Sequence, residues 1–219
     1  MGGDLNIGQK EWLMYDTFSF KLVPVKGSNS VHNPGFCDPY QMYDDMKNKY
    51  RWDDLSKDDY FVDYQNIYTF IGVLPQRTLF INLADKLLLY NEPVKAAEVL
   101  DMCMECVPEA VYPLDLMYYD LYNERLVEKI VCLYLDAGKD APGAADKGID
   151  LALRFAEELT RSAAFFNTYE PYSSYSMPKA NETAGLISLL CGDLRERGYV
   201  SVAGQIAKDF VDNVPELAR

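Results

Sequence analysis

Apolar residues recur at intervals of three and four from residue 63 to residue 214, the spacing that places them on one face of an α-helix. Prolines, glycines and polar turns divide this stretch into three consecutive antiparallel helix pairs, preceded by a helical segment at 64–74 that Pro75 interrupts. The paired helices are expected at 76–90, between Pro93 and Pro108, and at 121–137, 144–166, 179–197 and 200–214, with a loop at 167–178. The predicted fold class is all-α, as an α-α superhelix or an irregular bundle.

The N-terminal part of the chain has a different pattern. β-favouring residues between Trp12 and Lys26 predict a strand, which Pro24 restricts to the edge of a sheet. Turn residues predict a loop as far as position 35, and Asp38 followed by Pro39 is typical of a helix start.

These patterns predict two regions. Residues 1–60 form a β-containing segment with one short helix and an acidic connector, and residues 61–219 form the helical domain. A single structural domain over the whole chain is the alternative.

The first helix pair resembles a tetratricopeptide repeat, a unit of about 34 residues with small side chains where its two helices cross and a proline at its end. The matching positions are Phe80, Leu83, Ala84, Leu87, Ala96, Leu100 and Pro108. A looser copy comprises Leu190, Cys191, Leu194, Gly198, Ala203 and Pro215. The turns at Asn91, Gly138 and Gly198 are 47 and 60 residues apart, so the array is irregular, and a plain helical bundle is the alternative.

A second resemblance covers roughly residues 11–168. The run Phe20–Gly27, the triplet Tyr50-Arg51-Trp52 and the stretch Arg77–Pro108 resemble the C-terminal soluble tail of a bacterial family of multi-spanning membrane proteins of unknown function. The membrane part of that family is similar to protein O-mannosyltransferases. The resemblance implies an inner-membrane protein whose tail faces the periplasm, and any transferase chemistry would reside in a membrane part that this sequence lacks.

Composition narrows the classes of partner. The 219 residues include 34 acidic and 21 basic side chains, giving a net charge of −13, and 49% are hydrophobic. This charge argues against nucleic acids and anionic membrane surfaces as partners, while the apolar content supports a proper core. No apolar run is long enough to span a membrane, and no signal peptide is visible, so the chain as written is expected to be soluble.

Several residues could carry out chemistry, but each also has a simpler structural interpretation. Cys103 and Cys106 form a C-x-x-C inside a helical pattern, which favours packing over redox or metal chemistry. The acidic run at 53–63 (Asp53, Asp54, Asp58, Asp59 and Asp63) lacks the alternation of a calcium loop and is interpreted as a solvated connector. Asp120, Glu124 and Glu128 alternate with basic residues, which is typical of an exposed helix surface, with acid–base chemistry as the alternative.

No motif predicts a catalytic, cofactor-binding or metal-ligating residue. His32, the only histidine, lies in a loop without an adjacent nucleophile motif, and glycine-rich nucleotide-binding motifs do not occur in the sequence. We therefore expect no enzyme activity of this chain alone and no cofactor.

Tyrosine is the unusual component of the composition, with 17 residues. Tyrosine combines a rigid apolar face with a polar tip, which suits protein interfaces and stacking on sugars as well as ordinary helix seams. The candidate partner surface comprises Tyr112, Tyr118, Tyr119, Tyr122, Tyr169, Tyr172 and Tyr175. The leading hypothesis is a non-enzymatic scaffold that binds a protein or peptide, or its own membrane domain. The alternative is an accessory domain that contacts the glycan donor or acceptor.

Overall fold

The computed structural model describes residues 12–16, 19–24, 26, 37–52, 73–106, 108–109, 114, 125–168 and 173–217. In these ranges, strands β1 (Leu13–Asp16) and β2 (Ser19–Leu22) form an antiparallel pair, with Leu13 opposite Leu22. Seven α-helices follow: α1 (Pro39–Asn48), α2 (Val73–Leu89), α3 (Pro93–Cys106), α4 (Leu126–Ala137), α5 (Ala144–Thr168), α6 (Ser173–Glu196) and α7 (Val200–Asn213). A 3-10 turn spans Pro215–Leu217. The predicted all-α class with a short β-containing N-terminal segment is confirmed.

The helices pack on one another in chain order, and contacts also extend from α2 to α4 and from α5 to α7. One continuous core runs through the stack. The apolar positions of the first pair are fully buried in it, namely Phe80, Leu83, Ala84, Leu87, Ala96 and Leu100. The small side chains of Ala84 and Ala96 thus lie inside the core.

Two of the helix pairs turn in the same way. Asn91 and Gly198 have positive φ angles of 60° and 89°. After each helix a backbone N–H bonds back to the last turn, from Glu92 to the Leu87 carbonyl at 2.9 Å and from Tyr199 to the Leu194 carbonyl at 2.8 Å. This is the left-handed helix end that asparagine and glycine favour.

The middle pair turns differently. Gly138 ends α4 with a right-handed φ of −63°. A Cβ built at this glycine would lie 2.5 Å from the Cβ of Ala145, so the position requires glycine for space. The left-handed residue is Gly143, with a φ of 79°.

Helix α1 joins the N-terminal region to the stack. The Asp38 carboxylate accepts N–H bonds from Tyr40 and Gln41, both at 3.1 Å, which confirms the predicted helix start. Met42 and Met46 are buried in the common core. The Trp52 indole donates to the carbonyl of Met46, and its ring lies 4.8 Å from that of Phe80 in α2.

The predicted loop around Pro178 is wrong. The loop predicted at 167–178 is instead helical at both ends, because α5 continues to Thr168 and α6 begins at Ser173 with Pro178 inside it. Packing of Ala180 and Thr183, both buried, favours the helix over the turn preferences of Ser and Pro. Helix α2 begins at Val73, so Pro75 lies in its first turn, where a missing N–H costs little.

Residues 64–72 of the helix predicted at 64–74 lie outside the described residues. The predicted loop at 27–35 and the acidic run at 53–63 lie outside them as well. Within the described ranges, no helix combines the length and apolar character needed to cross a membrane.

Candidate functional site

An open groove lies between α3 and α5, with α4 beneath it. Its volume is about 480 Å³. The lining residues are Asp101, Met104, Glu105, Tyr134, Asp146, Lys147, Asp150, Leu151 and Arg154. We call this cavity the α3–α5 groove. Three helices separated in sequence therefore contribute to one concave surface.

One wall of the α3–α5 groove is held by Asp101. Lys147 of α5 donates to both carboxylate oxygens of Asp101 on α3, at 2.8 and 2.7 Å. The Tyr134 hydroxyl of α4 donates to the same carboxylate at 2.9 Å. Burial, then the charge of Asp101, raises the pKa of Tyr134, so its hydroxyl keeps its proton and remains a donor. Asp101 thus ties three helices together.

The other end of the α3–α5 groove is held by Arg154 on α5. Its guanidinium donates to Glu109, just beyond α3, and to Asp150 one turn earlier at 2.9 Å. Both lining cations, Lys147 and Arg154, are therefore neutralised by carboxylates within the fold.

Two further carboxylates of the groove have no such partner. Glu105 and Asp146 are exposed, and among the described residues neither forms an ion pair or side-chain hydrogen bond. The surface between them is apolar, from the half-buried Met104, the buried Leu151 and the Tyr134 ring. The groove accordingly offers an apolar floor and a negatively charged rim.

A second polar cluster fills the seam between α4 and α6. Glu128 is only 3% exposed, and its Oε1 accepts from Arg125 while its Oε2 is buried without a hydrogen-bond partner in the described part of the chain. Burial raises the pKa of Glu128 to about 8, and the neighbouring carboxylate of Asp193 on α6 adds to this rise while Arg125 opposes it. The interpretation of Glu128 as a solvated surface residue is therefore wrong.

The error arises because the spacing of the carboxylates and the neighbouring Arg125, taken alone, is typical of an exposed helix surface. The Glu128 side chain faces α6, whose Asp193 lies far along the chain. Arg197, one residue beyond the end of α6, completes the seam by donating to Asp136 of α4 at 3.1 Å. The lining of the α3–α5 groove does not include Glu128.

The five cysteines are all free thiols. Cys103 is fully buried in α3, and burial raises its pKa to about 12 and that of Cys106 to about 11. Reactive thiols require the opposite shift, so the packing interpretation of the C-x-x-C is supported. In the described ranges, no group of three or more His, Cys, Asp or Glu side chains is arranged to hold a metal ion.

The tyrosine clusters predicted as a partner surface are not placed. Tyr112, Tyr118, Tyr119, Tyr122, Tyr169 and Tyr172 lie outside the described residues, and for Tyr175 only the backbone of α6 is described. His32, Asp120 and Glu124 are also outside. Among the described tyrosines, Tyr134 lines the α3–α5 groove. It is not among the predicted surface tyrosines because its spacing is that of an ordinary core position. Its only sequence signal is a hydroxyl within an otherwise apolar stripe.

No family model, curated protein or solved structure matches the chain. Its class therefore rests on its own geometry, which is that of an all-α protein of packed helix pairs with an acidic surface groove.

Proposed function

We propose that this chain is a non-enzymatic protein-interaction module built from tetratricopeptide-like helix pairs. The observation that carries the proposal is the α3–α5 groove, an open concave surface whose walls are fixed by ion pairs between helices. Such a surface suits a segment of another protein, because the groove is formed before the ligand arrives and little ordering is required on binding. Because Lys147 and Arg154 are held in ion pairs within the fold, the groove is suited to binding.

We further propose that the module is the soluble tail of a membrane-embedded, glycosyltransferase-like protein, facing the periplasm of a bacterium. The support is the sequence resemblance over residues 11–168. Sequencing the gene upstream of the codon for residue 1 tests this. A reading frame that continues upstream into several membrane-spanning segments is expected, and a start codon at residue 1 without such segments would contradict it.

A contact with glycans is the second candidate, and one surface feature favours it. Tyr40 and Tyr90 are exposed by 43% and 55%, and their rings meet edge to face with centroids 6.1 Å apart. Glu92 lies beside the Tyr40 hydroxyl, and desolvation, followed by the influence of this carboxylate, raises the pKa of that hydroxyl. Aromatic rings beside a carboxylate offer a sugar both a stacking face and a hydrogen-bond acceptor.

One pair of binding screens separates the two candidates. The purified chain is tested against a random dodecapeptide display library and against a glycan array, with binders confirmed by titration in solution. The interaction module predicts saturable binding of peptides. Saturable binding of glycans without any peptide binder would contradict it and favour the accessory-domain function.

A further inference from the structure

We propose that the α3–α5 groove binds a lysine or arginine side chain of the partner's peptide segment, with Glu105 and Asp146 as its charge partners. The inference rests on the proposed interaction function and adds the chemistry of the bound residue. It follows from three properties of the groove: its charge, its floor and its fixed walls.

The charge of the groove favours a cation. Lys147 is paired with Asp101, and Arg154 is paired with Glu109 and Asp150. Both lining cations are therefore neutralised within the fold and do not favour an anionic ligand. Glu105 and Asp146 remain exposed without ion-pair partners among the described residues. An anionic ligand would be repelled here, and the net charge of −13 of the whole chain adds to that repulsion.

The floor of the groove favours a long cationic side chain over a small cation. Met104, Leu151 and the Tyr134 ring offer apolar contact below the carboxylates. Lysine and arginine place an aliphatic stem on apolar surface while their charged ends reach polar groups. A bare metal ion or a short amine would leave this floor unused.

The walls of the groove are fixed before a ligand binds. The contacts of Lys147 with Asp101 and of Arg154 with Glu109 link α5 to the opposite side of the groove. Because α3 and α5 both pack on α4 and these ion pairs link them, the carboxylates of Glu105 and Asp146 are presented without ordering of the backbone.

The test uses four N-acetylated, fluorescein-labelled dodecapeptides that differ at one central position in a Gly/Ser/Ala background. That position is lysine, arginine, norleucine or glutamate, so norleucine keeps the stem and removes the charge. We expect the lysine and arginine peptides to bind the full chain, measured by titration at low salt, and the norleucine and glutamate peptides to bind at least about fivefold more weakly. Equal binding of the lysine and norleucine peptides would overturn the inference.

The double variant Glu105→Gln with Asp146→Asn removes the rim charges without changing shape. Its matched control is Asp44→Asn with Asp212→Asn, two exposed carboxylates on α1 and α7 that give the same change in net charge. We expect the groove variant to lose about fivefold or more in affinity for the lysine peptide and the control to lose less than twofold. Equal losses would show that binding follows only net charge and would overturn the groove assignment.

The experiments distinguish failure of the groove inference from failure of the proposed interaction function. If the dodecapeptide library yields binders without enrichment of lysine or arginine, and the groove variant binds them as well as the native chain does, the groove inference fails while the interaction function stands. If no library peptide binds, both fail. Spermidine binding as tightly as the lysine peptide would show that the groove recognises a free amine and would also overturn the peptide assignment.

Discussion

Among single residues, Glu128 has the environment least like that of a surface carboxylate. It is 3% exposed, and its pKa is raised to about 8 by burial and by the neighbouring carboxylate of Asp193. An unfolded chain ionises a glutamate near its ordinary value, so between that pH and about 8 the unfolded state releases a proton that the folded state retains. The free energy of unfolding therefore falls as the pH rises through this range.

Replacement of Glu128 by glutamine removes this titration and keeps the shape of the side chain. We expect Glu128→Gln to unfold at about the same urea concentration as the native chain at pH 5 and at a higher one at pH 8. The difference in the free energy of unfolding between the two proteins should change by at most about 1.4 kcal/mol per pH unit. Glu196→Gln, an exposed position on α6, is the control, because it removes the same charge from the surface. If the native chain became more stable relative to Glu128→Gln as the pH rises, this result would contradict the buried position of the side chain.

Two glycines allow a matched test of close packing. A Cβ at Gly138 would lie 2.5 Å from the Cβ of Ala145, whereas at Gly204 in α7 nothing lies within 4 Å. We expect Gly138→Ala to destabilise the fold by about 1–3 kcal/mol. The same change at Gly204 should stabilise it by about 0.5–1 kcal/mol, because alanine is the better helix former. Urea unfolding measures both, and the same sign at the two sites would refute the close contact of α4 and α5.

Among the elements, helices with strong apolar periodicity could be predicted from the sequence to within a few residues. The expected 144–166 and 200–214 correspond to Ala144–Thr168 and Val200–Asn213. The Asp38 cap was also predictable, because its contacts are local. Local preference failed at the start of α6, where buried Ala180 and Thr183 outweigh the Ser- and Pro-rich composition.

The α3–α5 groove could not be predicted in the same way. Its central contacts join Asp101 to Tyr134 and Lys147, which are 33 and 46 residues away in sequence. Nothing in the local pattern distinguishes Glu105 and Asp146 from other acidic residues on helix surfaces. Their exposure without partners depends on which cations neighbouring helices direct toward them, and this is a tertiary property.

Pro178 tests the corrected boundary of α6. Inside a helix, proline removes one backbone hydrogen bond and crowds the preceding turn, so Pro178→Ala should stabilise the protein by about 1 kcal/mol or more. In a loop the same change would destabilise by about 0.4–1 kcal/mol, because the unfolded chain gains freedom. Pro215→Ala, beyond the end of α7, is the control and should not stabilise. The sign of the change in urea unfolding thus distinguishes helix from loop at this position.

For the whole molecule, the strong negative charge and the packed helices combine into one account. One core joins three helix pairs, ion pairs link the two sides of the groove, and two exposed carboxylates are available for the proposed cationic segment. Long-range attraction of a basic partner would be weakened by salt, since screening acts over about 10 Å at 0.1 M. We therefore expect the affinity of the lysine peptide to fall as sodium chloride rises from 20 to about 200 mM, whereas the norleucine peptide should show little salt dependence.

The most direct measurement of the central claim is a titration of the ¹⁵N-labelled chain with the lysine dodecapeptide, followed by NMR. The account predicts that backbone amide shifts change in a saturable way at residues 101–109 and 146–154, on the two sides of the α3–α5 groove. Shifts confined to α1 and the turn between α2 and α3, or no shift over the whole titration, would contradict it.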